Sequence, residues 1–374
     1  MLQNHDDWWK FLPDGALTQI YIATAIRSFA IALLGLFVPL YLYNEIGFSL
    51  QQVLGFYIFF SVILAISSPI AMKFASRHGL KHTILLSVPL YLIFIILLYL
   101  LQWFPVPLVI ISFFLGLSIA FYWMGLHLVF HKASDKKHRG EEVGKREGYS
   151  ILVTILSPIT GGFIIQFAGF TFLFFLSAIL LLFSAFVLFK NKENYVRYKF
   201  SFRSILNKDN WKNSVYFVSR GTWVAASGVL WPLFIFSILS SYISMGLIGS
   251  ILSGFQAVLV GITGKFSDKF GKRRIIKYAV WFESLSWFLR AFVTTVTQVF
   301  SVTIFGAISF GIMEVPLGAL EYDKARSQAA SFFVMREVFL CLGRILLFSF
   351  VFLTDSIFGG LILQGFANLA FLLI

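Results

Sequence analysis

An all-α integral membrane protein, with twelve transmembrane helices in two pseudo-symmetric six-helix bundles, is the fold this sequence predicts. Three observations predict it. The chain of 374 residues is 59% hydrophobic and 18% aromatic but only 13% charged, against about 25% charged in soluble domains. Apolar runs of roughly 20 residues recur along it, each long enough to cross about 30 Å of hydrocarbon. The chain also repeats itself. Arg27, Gly35 and Pro39 return as Arg220, Gly228 and Pro232, 193 residues later. The stretch Lys73–Gly79 returns as Lys265–Gly271, 192 later, and Arg146-Glu147 as Arg336-Glu337, 190 later. Duplicated membrane halves are a common plan for proteins that open to alternate faces of a bilayer.

Each span follows from apolar length and from the chemistry of its ends. The first copy has spans near 17–43, 49–74, 82–101, 105–130, 146–168 and 169–189. The N-terminus is polar and of mixed charge, without the short apolar core and small-residue cleavage site of a signal peptide. Span one carries Arg27 and ends at 44–48, which holds no Lys or Arg. Span two runs into the basic segment 73–81, and spans three and four meet at 102–106, again without basic residues. The segment 131–145, rich in Lys, Asp and Glu with Gly140 and Gly144, reads as a solvated loop before span five. Spans five and six meet at 166–170. The second copy has spans near 213–239, 243–266, 274–293, 299–320, 333–353 and 357–374, joined by segments of the same alternating chemistry. Residues 1–189 form the first bundle, 190–212 a polar linker and 213–374 the second bundle.

Of the 30 basic residues, all but Lys10, Arg27, Arg220, Arg290 and Arg344 lie in 73–81, 131–147, 190–212, 265–277 and 321–337. That one-sided loading follows the positive-inside rule. It predicts a cytoplasmic (cell) membrane location with both termini cytoplasmic, and it makes the net charge of +13 an orientation signal rather than a nucleic-acid footprint. Anionic lipid headgroups are the expected neighbours of these segments. The single cysteine, Cys341, excludes an internal disulfide. No G-x-x-x-x-G-K-[ST] loop, H-E-x-x-H or G-x-S-x-G occurs, so ATP hydrolysis, membrane proteolysis and esterase chemistry lack their parts. The expectation is a non-enzyme with no cofactor and no metal site.

The strongest local motif is Gly264-Lys265-Phe266-Ser267-Asp268-Lys269-Phe270-Gly271-Lys272-Arg273-Arg274. Gly271 permits a tight reversal between helices, Asp268 suits exposed amides at a helix start, and the basic cluster stays with water and headgroups. The pattern resembles the loop signature of the major facilitator superfamily, a switch loop in that family. Its first copy is degraded: Met72, Ser76 and Leu80 stand where the signature has Gly, Asp and a basic residue. The resemblance covers the whole chain. It implies two bundles around a cavity lined by spans 1, 2, 4, 5, 7, 8, 10 and 11, with 3, 6, 9 and 12 outside.

Span five contains Ser157-Pro158-Ile159-Thr160-Gly161-Gly162, which resembles the signature of exporters in that superfamily. Small residues there also make a plain packing seam. The Arg that proton-coupled exporters carry in span four is absent; that span offers Gly116, Trp123, His127 and His131. The two histidines lack a third ligand at useful spacing and read as a polar wall or helix end. Trp123 and Trp231 are candidates to line the cavity.

Ionisable residues inside a bilayer cost several kcal/mol unless paired or hydrated. Arg27, Arg220, Glu314 and Arg344 fall in predicted cavity-lining spans. All are expected roughly 10–12 Å inside the cytoplasmic boundary at about 1.5 Å per helical residue, as a charge layer facing a watered path, with Glu314 and Arg344 as a pair. Two readings stand: Arg27 and Arg220 bind an anionic substrate, or the layer is a gate or structural network. A proton carried by Glu314 is a further reading. Glu147 and Glu337, at the starts of spans five and eleven, suit helix-end chemistry or a hold on the basic loops. Glu283 and Arg290 share a face of span nine, which is expected to meet lipid; Arg290 is expected to snorkel outward, and Glu283 receives no role.

The sequence therefore predicts a secondary active transporter, acting as a monomer on a small-molecule substrate, with efflux favoured and protons as candidate coupling ion. An organic-anion transporter using Arg27 and Arg220, and a non-transporting sensor or scaffold, are the alternatives.

Overall fold

The computed structural model describes residues 15–133, 139–189, 211–325 and 329–374. Every regular element among them is helical. The first half comprises α1 (Gly15–Gly35), α2 (Leu50–His78), α3 (Leu80–Leu100), α4 (Leu108–Ala133) and α5 (Arg139–Phe189). The second comprises α6 (Trp211–Ala225), α7 (Tyr242–Phe270), α8 (Lys272–Ala291), α9 (Val296–Lys324), α10 (Ala329–Thr354) and α11 (Ile357–Ala367). Beyond Gly35, α1 continues through Val38–Leu40 and the π-turn Tyr41–Glu45; α6 continues through the π-turn Ala226–Leu230 into Trp231–Leu239. Nine helical stretches among the described residues are long and apolar enough to cross a membrane.

Helix ends follow local chemistry. Ser49 caps α2 with Gln52 in a reciprocal capping box, and Thr295 and Gln298 do the same for α9. Ser241, 192 residues after Ser49, accepts from the Ser244 amide at the start of α7. The reversals α2–α3 and α7–α8 turn on Gly79 (φ 97°) and Gly271 (φ 84°), a conformation that glycine adopts without steric cost. Gly169 (φ 78°, ψ 174°) breaks α5 where the sequence divides spans five and six. Residues 139–145, expected in a loop, are helical, because the end of an apolar run marks the limit of lipid and not of backbone hydrogen bonding. The linker residues 190–210 lie outside the described residues.

Packing repeats between halves. In the first, α1 packs on α5, α2 and α3 on α4, and α3 on α5; in the second, α6 packs on α10, α7 and α8 on α9, and α8 on α11. The halves join through α2 with α10 and through α5 with α7, and each junction is the repeat image of the other. Large apolar side chains such as Leu353 (81% exposed) and Phe167 (79%) face outward, as lipid-facing residues do. One apolar cluster, including Phe37, Tyr41, Trp231, Trp287 and Phe348, crosses from half to half.

The α5–α7 junction is built on the predicted span-five motif. A Cβ on Gly162 would meet the Tyr242 carbonyl, and one on Gly246 the Pro158 carbonyl. The Ile159 amide donates to Ser250 Oγ at 3.1 Å, and Ser157 Oγ donates to the Val153 carbonyl within α5. Gly161 instead faces Leu33 and Phe37 of the first half. Two backbones thus meet across the molecule where small residues allow it.

Candidate functional site

The second half carries a connected charge network on three helices. Arg220 of α6 pairs closely with Glu314 of α9, and its Nε lies 3.5 Å from Glu321 Oε1. Glu321 also accepts from Tyr216 OH at 2.5 Å and from Arg336 Nε at 2.9 Å. Arg336 Nη1 reaches Glu337 Oε2 at 3.5 Å, and Arg344 Nη1 reaches Glu337 Oε1 at 3.5 Å. Among the described residues, three arginines and three glutamates make up the cluster. Glu321 is 5% and Glu337 2% exposed, so each carboxylate depends on its neighbours: a buried ion stripped of its partner costs about 3–5 kcal/mol.

Helical spacing makes this network. Glu314 and Glu321 are seven apart on α9, and Arg336 and Arg344 eight apart on α10, so each pair lies along one helix face. The α6–α10 crossing brings the faces together. Gly221 sits against the Leu340 carbonyl and Gly343 against the Val218 carbonyl, closer than any side chain allows.

The network touches the first half through His127 of α4. Its ring stacks on Phe333 of α10 (centroids 4.5 Å, 3° between planes) and on Trp123 (5.3 Å). Its Nε2 lies 3.5 Å from Arg336 Nη1. Around it, Ala71, Met72, Phe121, Ala330, Phe333 and Cys341 form an apolar cluster shared by both halves. At the end with short connectors, Gln51 donates to Asp355 (2.7 Å) and Tyr242 OH to Glu45 (2.5 Å). The halves are therefore in contact at both ends.

Several expectations change. Glu314 meets Arg220, and Arg344 meets Glu337, in place of the anticipated Glu314–Arg344 pair. Arg27 does not join the network: it is 1% exposed, with its guanidinium carbon 4.1 Å from the Tyr122 ring centroid and 5.9 Å from that of Tyr91. Burial that complete removes it from any watered path. Trp231 is 2% exposed and packs under Arg290 (5.1 Å), so it is core and lines no open passage. Arg290 does not snorkel; it turns inward over Trp287 (4.2 Å). Glu283, fully buried, accepts from the indole N–H of Trp223 and of Trp287 (2.9 Å each) and from Ser309 Oγ (2.7 Å). Span nine thus turns this polar face to α6 and α9, not to lipid.

Of the switch-loop residues, Gly271, Lys272, Arg273 and Arg274 form the turn into α8. Gly264 lies within α7, and the side chains of Asp268, His131 and Glu147 lie outside the described residues. Sequence reasoning missed Tyr216 and Glu321 as site residues. The seven-residue spacing of Glu314 and Glu321 was the available signal. No group of three His, Cys, Asp or Glu that could hold a metal ion occurs among the described residues.

The family model described as Major Facilitator Superfamily matches residues 20–348. Among solved structures, a bacterial homologue of the iron transporter ferroportin, in an outward-facing state, is similar in fold: TM-score 0.67, 13% identity, covering 95% of this chain and 98% of that one. No curated protein matches the chain.

Proposed function

Since the chain belongs to the major facilitator superfamily, we propose that it is a secondary active transporter that moves a small organic solute across a cytoplasmic membrane by alternating access, with efflux as the direction. Twelve crossings go with this reading. The 51 residues of α5 would span roughly 77 Å at about 1.5 Å each, over twice a hydrocarbon core, so the Gly169 break divides them into two. Residues 1–189 and 213–374 are then the moving halves, a monomer with both termini cytoplasmic.

One observation carries the proposal. The α2–α10 and α5–α7 junctions are repeat images, so two similar bodies can rock about them and exchange which end is open. The span-five motif lies in one of those junctions, which supports the exporter reading. Reconstituted vesicles test it. Saturable release of at least one solute from a panel of organic cations, neutral molecules and anions is expected. A crosslink between Gln51→Cys and Asp355→Cys, on a Cys341→Ser background, is expected to stop it. Saturable flux that survives the lock refutes rocking, and no flux above empty vesicles favours the sensor or scaffold.

The organic-anion reading has two observations against it, the burial of Arg27 and the engagement of Arg220 by Glu314 and Glu321. Arg220→Gln decides: if flux of every anion tested is unchanged, that reading fails. A proton as coupling ion has Glu314 as its candidate carrier; flux that ignores an imposed pH gradient excludes it.

A further inference from the structure

Among the described residues, the first bundle buries a cation without burying a counter-charge. None of the three guanidinium nitrogens of Arg27 reaches a hydrogen-bond acceptor. Tyr91 and Tyr122, against which it lies, are themselves 3% and 5% exposed. Among the described residues these two tyrosines are the titratable groups that bear on it, and no carboxylate does.

The magnitudes do not close. A desolvated cation–π contact stabilises by about 2 kcal/mol. An arginine at bilayer depth costs about 2.5–3.5 kcal/mol on insertion scales and roughly 10–17 on an isolated helix in simulation, the lower figure depending on snorkelling and water defects. Arg27 is enclosed by its own bundle, so neither relief is open to it.

The second half shows what is missing. Arg220, the repeat mate of Arg27, is met by Glu314. Tyr122 stands 192 residues before Glu314, and it lies against Arg27 as Glu314 lies against Arg220. Tyr91, the other ring against Arg27, stands 192 residues before Glu283, a carboxylate that meets Trp223, Trp287 and Ser309 and not Arg220. The duplicated frame therefore keeps the arginine in both halves and keeps the carboxylate in one.

We infer that a small monovalent anion, of halide size, binds beside Arg27 between α1, α3 and α4 and supplies the negative charge that Glu314 supplies in the second half. The chemistry selects its class. One guanidinium matches one charge, which disfavours phosphate. Two buried aromatic walls favour a small ion over a bulky organic acid or a lipid headgroup. The anion is a resident of the bundle, and the inference does not require the transported solute to be an anion.

Thermal unfolding of the full-length purified protein tests it without any transport assay. At constant ionic strength, replacing gluconate by chloride or bromide is expected to raise Tm saturably, by roughly 5 °C near 100 times Kd, whereas phosphate does not. Arg27→Gln is expected to abolish the chloride effect. Tyr122→Glu, which restores the pattern of the second half, is expected to abolish it while keeping Tm at or above the chloride-saturated value. Where Arg27→Gln fails to fold, Tyr122→Glu decides alone. Equal Tm in chloride and gluconate overturns the inference, as does a chloride effect that persists in Tyr122→Glu. Glu147→Gln tests one carboxylate of α5, a helix that also carries Glu141 and Glu142. It is expected to leave the chloride effect intact; loss of stability equal to anion withdrawal would assign the counter-charge to that carboxylate.

Discussion

Tyr122 occupies in the first half the place that Glu314 occupies in the second. Each lies against the arginine of its own bundle's first span: Arg27 sits over the Tyr122 ring at 4.1 Å, and Arg220 is ion-paired with Glu314. One inherited contact has thus become two interactions of different physics, an aromatic one that leaves charge uncompensated and an ionic one that compensates it. The second feeds a network, because a carboxylate accepts several donors. The asymmetry places a network of ion pairs on α6, α9 and α10.

Within that network the Arg220–Glu314 pair is coupled. Glu314→Gln is expected to lower stability by about 1–3 kcal/mol, less than a fully buried break, because its side chain is 33% exposed and Arg220 keeps Glu321. Arg220→Gln costs more, since two carboxylates lose a partner. The double variant is expected to be more stable than the sum of the single losses predicts. Additive losses in thermal unfolding would show that the two do not interact.

His127 and Phe333 hold the halves together beside Cys341, which is fully buried and is the chain's single cysteine. Its thiol therefore reports opening at that end. In the intact protein a membrane-permeable maleimide is expected to label Cys341 slowly. His127→Ala or Phe333→Ala removes the stacked ring and is expected to speed labelling about tenfold, the effect of roughly 1.4 kcal/mol on an opening equilibrium. An unchanged rate would mean that this stack does not close the basic end.

The helices and the repeat were legible because both rest on long apolar runs and on residues that recur at one offset. The bilayer fixes span length almost by itself, so the observed helices lie close to the expected ones. Partners were less legible. Arg220, Glu314, Glu321 and Arg344 could be placed at similar depth, but helix rotation decides who meets whom, and a rotation of one residue, about 100°, exchanges partners. Arg27 misled because its mate's role was carried over to it, whereas the deciding residue was Tyr122, which has no mark of its own in the sequence. Glu283 made no sense on an expected lipid face; the structure turns it toward Trp223, Trp287 and Ser309, three donors scattered over three helices.

Those three donors make Glu283 a test of buried hydrogen bonding. Glu283→Leu leaves two indole N–H groups without their acceptor, at about 1–3 kcal/mol for each, whereas Ser309 Oγ keeps the Phe305 carbonyl of its own helix. Glu283→Gln keeps one carbonyl acceptor and is expected to cost less than half as much. Near-UV circular dichroism reads the tryptophans directly: the Trp223 ring, stacked on Phe310 at 3.8 Å, is expected to lose its fixed signal in Glu283→Leu and to keep most of it in Glu283→Gln. Equal loss in both variants would show that the packing around Trp223, and not the carboxylate, holds the indole.

The tightest prediction concerns glycine. At the α6–α10 crossing a Cβ on Gly221 or Gly343 overlaps a carbonyl of the facing helix, and backbone cannot rotate away as a side chain can. Gly221→Ala and Gly343→Ala are expected to cost at least about 1–3 kcal/mol, the range for overpacked interiors, and to disturb the Arg220 and Arg344 ion pairs on those same helices. Gly35 and Gly228 serve as controls, since a Cβ at either meets nothing within 4 Å. Gly35→Ala and Gly228→Ala are expected to leave Tm unchanged or raised, because alanine favours helix over glycine by about 1 kcal/mol. If all four substitutions behave alike, helix propensity and not the close crossing governs these positions, and the crossing is looser than its carbonyl contacts imply.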